Sequence, residues 1–170
     1  MDGRDYRFLQ REEFLESRDA GKFAEWAEVH GHYYGTLRSE VERVLASGRH
    51  VLMDIDVQGA RQFHTAFPDT VLIFVLPPSG EVLKSRLAGR KSESGERLLV
   101  RLRNARAELG EVGRYHYVVV NDGLERAVDQ VGAIIDAEGL RHDRVHEVEA
   151  QVEALIAQLE LEINDFTKGE

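Results

Sequence analysis

The sequence predicts an α/β fold in which helices flank a parallel β-sheet. Three short, β-branched apolar segments have the pattern of buried strands, and amphipathic helical patterns lie between them. Parallel strands need crossover connections, so this alternation favours a parallel sheet over an antiparallel one. The 170 residues, 31% charged and 42% hydrophobic, are enough for one soluble domain with a sizeable core.

The first third of the chain predicts two short helices on either side of an aromatic segment. Residues 11–21 have the pattern of an amphipathic helix that ends at a glycine. Residues 36–48 repeat this pattern, with Thr36 as the expected N-cap. Residues 22–35 show no clear period, and we expect short strands and turns there.

The strand and helix predictions follow in order along the rest of the chain. Strands are predicted at residues 51–56, 71–76 and 117–120, and helices at 58–67, 79–90, 96–110 and 124–138. Ligands of such sheets bind at the carboxyl ends of the strands. Here the first and third of these ends are polar.

The C-terminal segment, residues 142–170, predicts an acidic helical extension. From residue 143 onward it carries eight acidic and two basic residues, and apolar residues recur every three or four positions from 145 to 166. We expect this apolar seam to pack against another helix or against the body of the chain. The alternative is a frayed, solvated extension.

The charge distribution favours a small phosphate-rich ligand. The net charge is −9, yet residues 84–106 hold eight basic and only two acidic residues. A local basic segment in an acidic chain suits a phosphate-rich small ligand better than a long duplex, so we expect no nucleic-acid partner. The chain has no cysteine, which excludes disulfides and thiolate chemistry. It shows no secretory signal and no apolar run of membrane-spanning length, so we expect no membrane contact and a cytoplasmic location.

Two clusters hold candidate ligand-binding carboxylates. Asp54 and Asp56 share one face of a predicted strand end, where they could hold a magnesium shell or accept from ligand N–H groups. Glu25, in the aromatic segment, could accept from a guanine edge, while the hydroxyls of Tyr34 and Thr36 could reach a phosphate or the base. The alternatives are solvated acids and an aromatic loop that packs on its own domain.

Arginines in the basic segment are spaced for phosphate binding. Arg86 and Arg90 are four residues apart on a predicted helix, as are Arg97 and Arg101, so each pair shares a face. Guanidinium groups bind phosphate oxygens and neutralise charge during phosphoryl transfer. The alternative is a solvated basic helix face.

Several strings in this order resemble the guanylate kinase family. They are DGRDYRF from Asp2, FAEWAEVHG from Phe23, YYGT from Tyr33, DIDVQGA from Asp54, FVLPP from Phe74, RLAGR from Arg86 and VVND from Val119. The resemblance implies a P-loop-NTPase-like parallel sheet over residues 1–141. It places a small GMP-binding subdomain in about 1–36 and a core in about 37–141, with a lid at about 86–101.

The resemblance also implies a role for each matching residue. Tyr6 and Tyr34 would hold the GMP phosphate, and Glu25 and Asp56 would read the guanine edge with Thr36 beside them. Asp54 would lie near Mg²⁺ and its waters. The remaining implied residues are the catalytic lid arginines on the ATP phosphates, Arg86, Arg90 and Arg101, and Asn121 beside the adenine. The implied partners are GMP and ATP, and the acidic helix predicts self-association.

One departure from the family pattern is large. The family begins with a strand and a P-loop, G-x-x-x-x-G-K-[ST], and these 170 residues contain no such motif. We therefore expect an N-terminally truncated guanylate kinase that lacks the first strand and is inactive on its own. The alternatives are a non-catalytic guanylate-kinase-like binding module and an interaction protein that acts through its acidic C-terminal helix.

Overall fold

The computed structural model describes residues 7–88, 95–145 and 148–168. The chain divides into two compact units, Met1–Val75 with Ser79–Val118 and Leu76–Pro78 with Val119–Glu170. Within the described ranges, no helix is both long enough and apolar enough to cross a membrane. The predicted division of the chain at residues 141 and 142 remains a prediction.

The described helices lie where the apolar pattern predicts them, with strands between several of them. The helices are α1 (Arg11–Asp19), α2 (Arg38–Leu45), α3 (Val57–Ala66), α4 (Gly80–Ala88), α5 (Gly95–Leu109), α6 (Leu124–Gly139) and α7 (Val148–Lys168). The strands are β1 (Phe23–Val29), β2 (His32–Leu37), β3 (Ile73–Leu76) and β4 (Tyr117–Val120). Each predicted helix is confirmed over most of its described length. The last two residues of the predicted helix 79–90 lie outside the described residues.

The aromatic segment forms an antiparallel hairpin of β1 and β2. His30 and Gly31 join the strands with φ angles of 54° and 81°. Two consecutive positive φ angles are the requirement of a type I′ turn, whose twist matches that of the flanking strands. The expectation of short strands and turns is confirmed.

The prediction that Thr36 caps a helix is wrong. Thr36 lies in β2, and its hydroxyl donates to the Glu25 carboxylate across the hairpin. Helix α2 begins two residues later, after Leu37, which makes no side-chain cap. Leu37, not Thr36, immediately precedes the helix, so Thr36 lies one residue too early in the chain to be its N-cap.

The predicted strand at residues 51–56 forms no strand and pairs with none among the described residues. Its odd-numbered side chains, Val51, Met53 and Ile55, pack on the core formed by Ala24, Val41 and Phe63. Its even-numbered side chains are exposed, and Leu52 is 76% exposed. The prediction of a strand covered on both faces is therefore wrong, because only one face meets the core. The alternation still places Asp54 and Asp56 on one exposed face.

The strands β3 and β4 form the parallel pair that the alternation predicts. The N–H of Tyr117 donates to the carbonyl of Leu72, and the N–H of Asn121 donates to that of Leu76. Both sets of residue numbers rise together, so the strands run in the same direction. The strand at 117–120 is confirmed, and the one at 71–76 over its last four residues. The expectation that both faces are covered is wrong here too, because Val75, Val118 and Val120 are 51%, 49% and 43% exposed.

The C-terminal helix is confirmed, and described side chains of its apolar seam are exposed. Val152, Leu159 and Ile163 are 48%, 62% and 61% exposed.

Candidate nucleotide-binding site

The hairpin brings three of the predicted GMP-binding residues to one face. Glu25 lies opposite Thr36, and Ala27 lies opposite Tyr34. Directly paired residues of an antiparallel ladder project to the same face, and alternate residues of a strand share that face. Glu25, Tyr34 and Thr36 are therefore neighbours although they are up to eleven residues apart in sequence.

The Glu25 carboxylate is held in place by a hydroxyl. The Thr36 hydroxyl donates to Glu25 Oε1 over 2.7 Å in a partly buried position. Hydrogen bonds to a charged group are among the stronger ones in proteins. This bond fixes one carboxylate oxygen and leaves Glu25 Oε2 to accept from other donors.

The second carboxylate of the site begins helix α3. Asp56 Oδ1 accepts from the backbone N–H groups of Gln58 and Gly59, at 3.0 and 2.8 Å, and so caps the helix. An N-cap carboxylate also benefits from the positive end of the helix dipole. Asp56 Oδ2 makes no hydrogen bond to the described residues and faces outward with an exposed side chain.

Gly59 lies between the two carboxylates. A Cβ placed on Gly59 would lie 3.6 Å from Glu25 Oε2 and 3.5 Å from Asp56 Oδ1. These two oxygens are therefore within about 7 Å of each other. The structure thus brings Glu25, Thr36 and Asp56 together at the start of α3, as the sequence predicts.

The magnesium candidate is an isolated carboxylate. Asp54 is exposed two residues before the cap of α3. The described residues contain no group of three acidic, histidine or cysteine side chains that could hold a metal ion. A single exposed carboxylate fits Mg²⁺ that keeps most of its waters and reaches the protein with the phosphates of a substrate.

An ion-pair cluster lies next to this site in the first unit. Glu111 pairs with the guanidinium of Arg61, on α3, and with Arg114 Nε at 2.9 Å. The hydrogen bond from Arg61, together with the positive charges of Arg61 and Arg114, holds the pKa of Glu111 below its ordinary value. Burial is the main cause that raises the pKa of Tyr115, and the negative charge of Asp56 raises it further. This hydroxyl therefore stays protonated.

The described part of the predicted lid consists of the end of α4, from residue 86, and the start of α5, to residue 101; the two helices contact each other. Arg101 Nη1 donates to the carbonyl of Leu87 over 2.7 Å and so ties α5 to the end of α4. Arg86 is exposed on α4. Arg90 and Tyr6 lie outside the described residues. Asn121 is half-buried in the second unit, where its N–H bonds to Leu76.

Three residues near the site were not predicted from the sequence. A Cβ on Gly35 would lie 2.8 Å from the Glu25 carbonyl oxygen, so only glycine fits opposite Trp26. Gly59 leaves the gap between the two carboxylates open. Gln62 bonds to both backbone groups of Trp26. The two glycines belong to the sequence strings that resemble the family, so the resemblance could have pointed to them. Gln62 lies outside those strings, and no sequence feature pointed to it.

The family model that matches this chain is that of guanylate kinase, over residues 1–138. The chain belongs to the guanylate kinase family. Its relatives include the guanylate kinase of Bartonella henselae, 44% identical over 93% of this chain and 72% of the relative. Another relative is that of Clostridium perfringens strain 13, which is 46% identical over 86% of this chain and 68% of the relative.

A solved structure supports the same assignment. The crystal structure of guanylate kinase from Anaplasma phagocytophilum matches with a TM-score of 0.70 and 34% identity, over 91% of this chain and 76% of that chain. The guanylate kinase-like α/β fold with its parallel sheet is confirmed, as is the prediction of an enzyme of the nucleoside monophosphate kinase class.

Proposed function

We propose that the chain contributes to the transfer of a phosphoryl group from ATP to GMP, which gives ADP and GDP. The observation that carries this proposal is the Glu25 carboxylate, held by Thr36 and close to Asp56 at the start of α3. Membership of the guanylate kinase family supports it. The matched relatives are named for the enzyme, which supports this function over a non-catalytic binding module or an interaction protein.

Guanine recognition follows from the arrangement of acceptors. Guanine presents two adjacent donors, its N1–H and its 2-amino group, and Glu25 Oε2 and Asp56 Oδ2 are open to accept them. Adenine has no N1–H or 2-amino group. It would therefore leave these carboxylates without donors, and a site built on hydrogen bonds rejects a ligand that cannot form them.

Hydroxyls and arginines account for the phosphates in this proposal. The Tyr34 side chain is 50% exposed beside Glu25, and with Tyr6 it would bind the GMP phosphate. Arg86, Arg90 and Arg101 would bind the ATP phosphates and neutralise charge that develops during transfer. Asn121 would lie beside the adenine.

Mg²⁺ would be held through its waters by Asp54, and when bound it neutralises phosphate charge. The exposed carboxylate and the lack of a metal cluster among the described residues both suit an ion that arrives with ATP.

The 170-residue polypeptide tested on its own should be a poor catalyst. Phosphoryl transfer depends on positioning and on electrostatic stabilisation, which a P-loop supplies through its backbone N–H groups and its lysine. These 170 residues contain no P-loop motif. Loss of one such donor costs on the order of 10²–10³ in rate in other enzymes. A coupled assay that gives an ordinary kinase rate, roughly 1–100 per second, would contradict this expectation.

Self-association through α7 and a cytoplasmic location complete the proposal. The exposed apolar seam of α7 supports contact with a second copy of the chain. The cytoplasm is where both proposed substrates occur.

Calorimetric titration with GMP and AMP tests the proposed function. We expect micromolar to millimolar binding of GMP and much weaker binding of AMP. Glu25→Gln should cost roughly 2–5 kcal/mol of GMP binding, the scale for losing one partner of a charged pair. Glu28→Gln is the matched control, because Glu28 is exposed on the opposite face of β1. An equal response to GMP and AMP would reject the proposed guanine recognition.

A further inference from the structure

The side chain of Gln62 makes two hydrogen bonds to the backbone of one residue. The N–H of Trp26 donates to Gln62 Oε1 over 3.1 Å, and Gln62 Nε2 donates to the carbonyl of Trp26 over 3.0 Å. Both bonds are partly buried and join residues 36 positions apart. An amide side chain offers one acceptor and two donors, so this arrangement uses both of its ends.

The register of the hairpin explains why Trp26 needs this partner. Val29 and His32 close the two-residue turn, and hydrogen-bonded and non-hydrogen-bonded pairs alternate from there. Trp26 and Gly35 are then a non-hydrogen-bonded pair, so the N–H and carbonyl of Trp26 point away from β2. Gln62 occupies the place that a third strand would take.

These two hydrogen bonds connect the elements that carry the two carboxylates. Glu25 directly precedes Trp26 on β1, and Asp56 caps α3, the helix that carries Gln62. Gly59, which lies between the two carboxylates, is three residues before Gln62 and on the same side of the helix. The position of Glu25 relative to Asp56 is therefore fixed through Trp26 and Gln62.

We propose that Gln62 is a positioning residue for guanine recognition: it sets the spacing between Glu25 and Asp56 without touching the nucleotide. This inference rests on the proposed function. Hydrogen bonds from one base to two carboxylates hold only within a few tenths of an ångström of the ideal donor–acceptor distance. Without the Gln62 side chain, β1 can shift relative to α3. The distance between the Glu25 and Asp56 carboxylates is then no longer fixed.

The test compares variants on one helix. Gln62→Leu removes both bonds at similar side-chain length, and Gln62→Glu keeps the acceptor but loses the donor. Thr65→Ala is the matched control, because the exposed Thr65 hydroxyl donates to the carbonyl of Arg61 within its own helix. The readouts are the dissociation constants for GMP and AMP, the melting temperature, and hydrogen exchange of the Trp26 amide.

We expect Gln62→Leu to raise the dissociation constant for GMP about tenfold, the factor that corresponds to about one lost hydrogen bond. AMP binding should not change, so discrimination falls by the same factor. Gln62→Glu should give a smaller loss and Thr65→Ala none. The Trp26 amide should exchange slowly in the parent chain and faster in Gln62→Leu.

The outcomes separate this inference from the proposed function. Equal binding of GMP and AMP by the parent chain would overturn the proposed function and this inference with it. Preferential GMP binding by the parent chain with unchanged GMP affinity in Gln62→Leu would overturn the inference alone, as would equal weakening of both nucleotides. If Gln62→Leu does not fold, Gln62→Glu decides by the same readouts.

Discussion

The hairpin with α3 and the C-terminal helix α7 both have amphipathic sequences, but they differ in how far their apolar side chains are exposed. Ala24 of β1 and Phe63 of α3 are 2% and 6% exposed, whereas Leu159 and Ile163 of α7 are 62% and 61% exposed. The pattern of apolar residues thus predicts the type of element in both regions. Whether that element is buried depends on the surfaces that surround it.

The two regions also differ in their polar side chains. In the hairpin, Thr36 bonds to Glu25 and Gln62 bonds to Trp26, so strands and helix hold each other at fixed positions. Helix α7 instead carries Glu149, Glu153 and Glu160 along its exposed surface. An isolated helix of this kind gains little stability from its own sequence, because tertiary packing supplies most helix stability in proteins.

Truncating one apolar side chain in each region should give the largest contrast. Phe63→Ala should lower the free energy of unfolding by about 3–5 kcal/mol, since a buried phenylalanine leaves a cavity. Leu159→Ala, at an exposed position, should change it by less than about 0.5 kcal/mol. Urea unfolding monitored by circular dichroism, at a protein concentration where the chain is monomeric, measures both. A similar loss in the two variants would show that the seam of α7 is buried in the monomer.

Gly35→Ala tests how tightly the hairpin is packed. The added Cβ would lie 2.8 Å from the Glu25 carbonyl oxygen and 2.9 Å from Phe23 Cδ1, so the strands must separate. We expect a loss of roughly 1–3 kcal/mol in unfolding free energy, the usual cost of overpacking. GMP affinity should fall as well, because Glu25 moves with its backbone. Gly132→Ala is the control, since a Cβ there meets nothing within 4 Å. Equal stability of the two variants would contradict the close packing at Gly35.

Deletion of residues 143–170 tests the role of α7. If the seam binds a second copy of the chain, the deletion should reduce the mass measured by sedimentation equilibrium to that of a monomer. The melting temperature should then lose its dependence on protein concentration. An unchanged oligomeric state and melting temperature would instead support a solvated extension.

The pH dependence of stability should show the smallest effect. The pKa of Glu111 lies below its ordinary value of 4.5 because of the hydrogen bond from Arg61 and the charges of Arg61 and Arg114. The ionised group therefore stabilises the fold above pH 4.5, and this contribution is lost as the pH falls through the lowered pKa. Glu111→Gln should lose less stability than the parent chain between about pH 5 and pH 3. Parallel unfolding curves of both proteins across this range would contradict the assignment.

The sequence predicted the helices well because each has its own apolar period and most have a local end signal. The strand at 51–56 was predicted wrongly, because an apolar run does not reveal which faces are covered or whether a neighbouring strand is present. Thr36 was predicted wrongly for a related reason. Its partner, Glu25, is adjacent only after the hairpin has formed, and a local capping rule takes no account of such a contact.

The sequence predicted those site residues whose own side chains would bind the ligand. Glu25, Thr36 and Asp56 are brought together as predicted, since carboxylates and hydroxyls in the family strings mark their own positions. Gln62 could not be predicted, because nothing near it in sequence shows that its amide meets a backbone 36 residues away. Assigned roles in nucleotide binding and catalysis, including those of Tyr6 and Arg90, remain predictions.

The contact between Gln62 and Trp26 also has a consequence for colloidal behaviour. The outer edge of β1 would otherwise present an unpaired N–H and carbonyl at the centre of a seven-residue strand. Such edges are templates on which strands of other chains add, and this is how ordered aggregates grow. By occupying both groups of Trp26 with a side chain that cannot extend the ladder, Gln62 blocks the addition of a strand at the centre of this edge.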